Sequence, residues 1–300
     1  MSRNVALVLS SGGARGVAHI GVIEELQDAG YTITSVAGTS MGALVGGMLA
    51  KGTLPEFKEW LLTFTKMNVI KFMDLTTAHG GMIKGEKVMK ALGTLVGDIK
   101  IEKLQIPYAC VAADLIGRKE MVFTQGSLLQ AIRASCSVPT VLLPVAYEGM
   151  LLVDGGILNP LPLDVVTRKE GDLLFAVNVN ANIPYVNQVS KNVPTDEENY
   201  FSKAKAMIND RWSELVEQYV EKFRNDKQPK TADIRLFDII SDSINLAQNK
   251  VAQISIEKYQ PDLIIETSFK TAAIFDFYKS EELIEVGRIA CRKALETIRK

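Results

Sequence analysis

The chain has 300 residues, 47% of them hydrophobic and 23% charged, with a formal net charge of −1. This is the composition of a folded globular protein long enough for one large α/β core, and it excludes collagen-like, disordered and coiled-coil chains. There is no basic excess, so a nucleic-acid partner is not expected. The three cysteines, Cys110, Cys136 and Cys291, are scattered and odd in number. They suit neither a disulfide framework nor a CxxC metal pair, which points to a reducing, cytoplasmic compartment.

In chain order, the apolar run Val5–Leu9 predicts a buried strand and is too short for the apolar region of an export signal. A glycine-rich loop follows, then a helical pattern through Val17, Ile20, Ile23 and Leu26 that ends at Gly30. Residues Tyr31 to Ala50 carry no charge and have the length of a membrane span. Gly38, Gly42, Gly46 and Gly47 instead divide them into a strand, Ile33–Ala37, a turn, and a helix, Met41–Ala50. Pro55 opens a helix over Glu56–Lys66. Further strands are predicted at Pro107–Asp114, Lys119–Phe123, Leu151–Val153 and Leu173–Val179, with a helix at Leu128–Ala134. After a charge-rich stretch, Pro184–Pro229, a long helix is predicted over Ile234–Lys258, a strand over Pro261–Thr267 and a closing helix over Ser280–Arg299. Strand alternating with helix predicts an α/β fold of three layers around a central, mostly parallel sheet. The expected organisation is an α/β core over 5–180, with residues 181–300 completing the same domain as a polar excursion and C-terminal helices.

Three local features carry chemistry. The first is the loop Ser11-Gly12-Gly13-Ala14-Arg15-Gly16 between the first strand and its helix. Successive glycines leave backbone N–H groups facing a ligand, and the helix N-terminus favours negative charge. A dinucleotide loop would want glycine where Ser11 stands and an acidic residue ending the second strand; close helix–strand packing is the plainer reading. The second is Gly38-Thr39-Ser40-Met41-Gly42, a GxSxG between strand and helix, the context of a nucleophile elbow. The third is Asp154-Gly155-Gly156 at a strand end, which taken alone reads as a tight turn.

A serine nucleophile needs a base. The histidines are His19 and His79, and neither lies beyond the predicted acid, as a Ser–acid–His order requires. His19, on the helix after the glycine loop, reads as a packing or orienting residue. A two-residue Ser40–Asp154 arrangement fits better.

Together the glycine loop with Arg15, the elbow and the later Asp-Gly-Gly resemble the patatin-like phospholipases, and most closely the bacterial members related to the catalytic domain of neuropathy target esterase. Arg15–Val22, Ala113-Asp114-Leu115 and Arg133–Pro139 are similar too, and the resemblance covers about residues 5 to 180, more weakly to the end. It implies a lipid acyl hydrolase with a Ser–Asp dyad and no metal or organic cofactor. Ser40 would be the nucleophile, with Gly38 and Gly42 shaping its elbow. Asp154 would accept the proton, followed by Gly155 and Gly156. The N–H groups of Gly12, Gly13 and Ala14 would form the oxyanion hole, with Ser11, Arg15 and Gly16 completing that loop. Ser11 departs from the glycine many members carry. The implied partner is a phospholipid, lysophospholipid or other ester, with peripheral contact at the inner membrane face as a further expectation. Acyl transfer to another acceptor shares every motif, and a non-catalytic regulator on the same fold is the competing class. The apolar residues flanking the motifs (Met41, Leu44, Val45, Val141, Leu142, Leu143) suit a core as well as a lipid site.

Overall fold

The computed structural model describes residues 3–72, 84–139, 141–185 and 236–298. The chain divides into two compact units, Met1–Gln188 together with Ile244–Lys300, and Val189–Ser243. His79 and the charge-rich excursion beyond Tyr185 lie outside the described residues.

An eight-stranded sheet organises the first unit. Its strands are β1 (Asn4–Leu9), β2 (Thr32–Thr39), β3 (Tyr108–Asp114), β4 (Lys119–Phe123), β5 (Val145–Tyr147), β6 (Met150–Asp154), β7 (Leu173–Ala181) and β8 (Leu263–Ser268). Their order is β5-β6-β3-β2-β1-β7-β8, with β4 paired to β3. From β3 to β8 every pairing along this order is parallel, while β4, β5 and β6 join by antiparallel pairs. The helices are α1 (Ala18–Asp28), α2 (Met41–Lys51), α3 (Leu54–Leu62), α4 (Lys66–Phe72), α5 (Glu86–Val96), α6 (Leu128–Ser135), α7 (Leu236–Tyr259) and α8 (Ser280–Ile298).

Strand β1 explains the layering. Parallel strands are covered on both faces, so their sequences lose the polar half of the alternation. Val5, Leu7 and Leu9 join the larger core with α1, α2, α3 and α6, while Ala6 and Val8 join a second core with Leu161, Leu174 and Ala252. Helices therefore lie on both faces of the central sheet, a three-layer α/β fold. Tyr31 to Ala50 divide into β2 and α2, and no helix among the described residues is long and apolar enough to cross a membrane.

Three local differences from the sequence reading have physical causes. The helix opened by Pro55 stops at Leu62, because the Thr65 hydroxyl accepts the Asn68 N–H at 3.2 Å and starts α4 as a new N-cap. Helix α5 is an addition, concealed by Gly93 and Gly97 in its sequence. Strand β5 is three residues long and pairs only with β6.

Candidate active site

Ser40 sits between the last residue of β2 and the first of α2, with φ 57° and ψ −121°. A non-glycine residue holds a positive φ only where its surroundings impose it. Here two glycines impose it: a Cβ on Gly38 would lie 2.4 Å from the Gly42 carbonyl, and one on Gly42 would lie 2.3 Å from the Leu9 carbonyl oxygen. The elbow is as tight as backbone permits. Its amide is anchored from helix α6, since Ser40 N–H donates to Ser135 Oγ at 2.9 Å and that hydroxyl donates to Val111 O at 2.6 Å. The Ser40 carbonyl accepts the Leu44 N–H at 3.0 Å, closing the first turn of α2. The Ser40 side chain makes no capping bond to that helix, which leaves its hydroxyl available for another partner.

That partner comes from the far side of β3. Thr39 pairs with Val111 and Asp154 pairs with Ala112, so adjacent residues of β3 bring the two motifs together. The Ser40 side chain lies close enough to the Asp154 carboxylate to lower its pKa. Asp154 Oδ1 also accepts the Gly156 N–H at 2.7 Å. Burial pushes the Asp154 pKa up to about 6, against the influence of Ser40 and of the Gly156 N–H, which pull it down. Gly155 packs on the Val111 carbonyl and Gly156 faces Ser11, so the Asp-Gly-Gly turn backs directly onto the glycine loop.

The Cys136 thiol stands near both Asp154 and Ser40, which act on its ionisation. Burial, and then the charge of Asp154, hold this thiol far above its ordinary pKa. It remains protonated and is no rival nucleophile.

The glycine loop is tied down at both ends. Ser11 N–H donates to Pro160 O at 2.9 Å, and Asn180 Nδ2 donates to Ser11 O at 2.6 Å. Ser10 Oγ accepts the Val179 N–H at 3.0 Å. Ala14 N–H donates to Ile274 O at 3.0 Å, so this amide is spent on the fold and drops out of the oxyanion-hole set expected from the sequence. Among the described residues, the Gly12 and Gly13 N–H groups form no bond to protein. Gly16 packs on Met41, joining the loop to the start of α2.

Arg15 Nε donates to Asn180 Oδ1 at 2.9 Å and Nη1 to Ala272 O at 3.2 Å. Burial lowers its pKa to about 10, so it remains cationic at neutral pH. His19 is fully buried, with Nε2 donating to Ser10 O at 2.9 Å and Nδ1 without a partner. Burial lowers its pKa to about 4, outweighing the bond to Ser10. It is a neutral strut under the loop and makes no bond to Ser40.

Ser135, Cys136 and Asn180 take part in this arrangement and were not singled out individually from the sequence. Their partners lie far away in the chain; Asn180 and Ser11 are 169 residues apart. Only the similarity of the Arg133–Pro139 stretch pointed near two of them.

The patatin-like phospholipase family model matches residues 7–167, which hold the glycine loop, the elbow and the Asp-Gly-Gly turn. An uncharacterized NTE family protein of Mycobacterium tuberculosis is 34% identical over 331 residues, covering 98% of this chain and 92% of that protein. Neuropathy target esterase sws of Drosophila melanogaster is 34% identical over 185 residues, covering 59% of this chain and 13% of that much longer protein. Human patatin-like phospholipase domain-containing protein 6 is 33% identical over 184 residues, covering 59% of this chain and 13% of its own length. With a family match over more than half its residues and a relative aligned along nearly all of it, this chain belongs to the patatin-like phospholipase family.

Proposed function

We propose that this protein is a serine lipid acyl hydrolase that cleaves carboxylic esters of phospholipids or lysophospholipids presented at a membrane surface. The observation that carries the reading is that adjacent residues of β3 bring the strained Ser40 elbow beside a buried Asp154 carboxylate, whose pKa is raised to about 6. A carboxylate of ordinary pKa is a weak base for an alcohol, and desolvation strengthens it.

In the acylation step the Ser40 Oγ–H proton passes to Asp154 as the oxygen bonds to the acyl carbon. The carbonyl π pair moves to oxygen. Gly12 and Gly13 N–H groups receive that oxyanion, each donor worth about 3–4 kcal/mol in sites of this type. The N-terminus of α2 adds a favourable field at Ser40. As the intermediate collapses, the ester C–O bond breaks and Asp154 returns its proton to the leaving alkoxide. A water then attacks the acyl-serine as Asp154 takes its proton; when the acyl C–Oγ bond breaks, Asp154 returns that proton to Ser40 Oγ and the fatty acid leaves.

Incubation with lysophospholipid in EDTA should release free fatty acid, and a fluorophosphonate should label Ser40, located by peptide mass spectrometry. A wild-type protein inert on every lipid and short-chain ester, with Ser40 unlabelled, overturns the reading.

A further inference from the structure

Ser11 is 4% exposed, and among the described residues its hydroxyl forms no hydrogen bond to protein. His19 Nδ1 is the other such buried side-chain atom. A buried hydroxyl without a partner opposes folding, so its retention calls for a ligand that completes it.

The surroundings of Gly156 show what stands beside that hydroxyl. A Cβ on Gly156 would lie 2.8 Å from Gln248 Nε2, 2.9 Å from Asp154 Oδ1 and 3.3 Å from Ser11 Cβ. Glycine at 156 thus lets three polar side chains, from the glycine loop, the Asp-Gly-Gly turn and α7, converge on one point of the backbone. Gln248 and Gly156 belong to the same compact unit. Gln248 is half-buried and stands one helical turn before Ala252, which lies in the second core. Ser255 continues that face of α7, donating to Leu161 O at 3.1 Å. The core-facing stripe of a helix is ordinarily apolar. Here it ends in an amide beside the site, and among the described residues that amide is bonded to no other protein group.

We infer that Ser11 and Gln248 are positioning residues for the hydrolytic water, holding it against Asp154 once Ser40 is acylated. The inference rests on the acyl-serine reading above. The water enters where the leaving alcohol departed, beside the carboxylate that serves both steps. It brings two protons and two lone pairs. One proton passes to the Asp154 carboxylate, and Ser11 Oγ accepts a hydrogen bond from the other. The Gln248 N–H donates to one lone pair, and the second lone pair attacks the acyl carbon. Ser11 and Gln248 form and break no covalent bond; they fix the direction of attack. A lipid chain would leave the Ser11 hydroxyl unbonded, and an anion would be repelled by Asp154. A neutral ligand of one oxygen that both donates and accepts suits all three groups.

The test uses the full chain and an activated ester, p-nitrophenyl butyrate, in excess so that acylation outruns decay. Stopped-flow absorbance of p-nitrophenolate gives the burst rate. Intact-mass spectrometry after removal of the ester follows loss of the butyryl group from Ser40. The ratio of burst rate to decay rate should rise about tenfold in Gln248→Leu and in Ser11→Ala, the loss expected of one hydrogen bond. Ser11→Ala should also unfold in urea at or above the wild-type midpoint, because it removes a buried hydroxyl that has no partner in the fold. That variant keeps the test decisive if Gln248→Leu fails to fold. A wild-type ratio in the folded variants overturns this inference alone. So does an equal slowing of both steps, which a merely structural role would give. A wild-type protein that never carries a butyryl group overturns the acyl-serine reading and this inference with it.

Discussion

Asp154 concentrates the chemistry of the site in one ionisation. Its carboxylate is 3% exposed, and the Ser40 hydroxyl and Gly156 N–H lower a pKa that burial alone would take higher. As general base it must be ionised. The value of kcat/KM for a soluble ester should therefore fall about tenfold per pH unit below about pH 6, where Asp154 takes up its proton. A pH–rate profile in constant ionic strength reads this directly, and a profile flat down to pH 4.5 contradicts the assignment. Ser135 offers a second, independent probe. Ser135→Ala leaves the buried Ser40 N–H without its acceptor, which costs about 1–3 kcal/mol. The elbow then loses one of the bonds holding Ser40 at positive φ, so kcat should drop while KM stays close to wild type. Steady-state kinetics beside urea unfolding separates the two effects. Ser40 and Asp154 were legible because each lies in a short local motif. Ser135 was not, because its role depends on contact with a residue 95 positions away.

At the scale of elements, the sequence marked strands and helices wherever burial is continuous. Every residue of β3 is buried, and its apolar run left little doubt about its form. Where glycine interrupts an amphipathic pattern, as in α5, or where a side-chain cap restarts a helix, as Thr65 does for α4, periodicity alone could not place the boundary. The oxyanion loop makes the same point in its chemistry. Its local sequence offers three successive amides, yet Ile274, from the segment between β8 and α8, removes Ala14 from the set. Helices α1 and α8 cross through glycines in a way no local pattern signals. A Cβ on Gly21 would lie 1.9 Å from the Ile284 carbonyl oxygen, and one on Gly287 would lie 2.0 Å from the Ala18 carbonyl oxygen. Backbone cannot yield as a flexible side chain can. Gly287→Ala should therefore destabilise the protein by roughly 3 kcal/mol, at the upper end of overpacking costs. Substitution to alanine at Gly97, whose added Cβ would meet nothing within 4 Å, isolates the cost of its φ of 67° alone and should be milder. Urea midpoints of the two variants rank these effects, and equal losses would contradict the packing account.

The whole molecule carries two buried ionisable groups that act on stability in opposite senses, one in the dyad and one beneath the oxyanion loop. His19 has its pKa lowered from 6.5 to about 4, so the folded state refuses a proton that the unfolded chain accepts. Its contribution is present above about pH 6.5 and is lost as pH falls towards 4. Asp154 has its pKa raised from 3.8 to about 6, so the folded state binds a proton that the unfolded chain has released. Its contribution is present below about pH 3.8 and is lost as pH rises through 6. Across the window between 4 and 6 the two slopes oppose each other. Asp154→Asn keeps an oxygen to accept the Gly156 N–H and removes the buried charge. At pH 7.5 this variant should be more stable than wild type, by about 3 kcal/mol for a shift near two units. Its advantage should shrink as pH drops below 6 and vanish near pH 4. With the Asp154 term gone, its own stability should fall more steeply on acidification than that of wild type, because the His19 term is no longer offset. Urea unfolding of both proteins at half-unit steps from pH 7.5 to 4 measures the difference. A constant offset across that range would mean that Asp154 keeps an ordinary pKa in the folded protein. It would then lack the basicity that the proposed proton transfer from Ser40 requires. An inactive but markedly more stable Asp154→Asn protein is the outcome expected of a site where a buried charge is kept for chemistry at the expense of the fold.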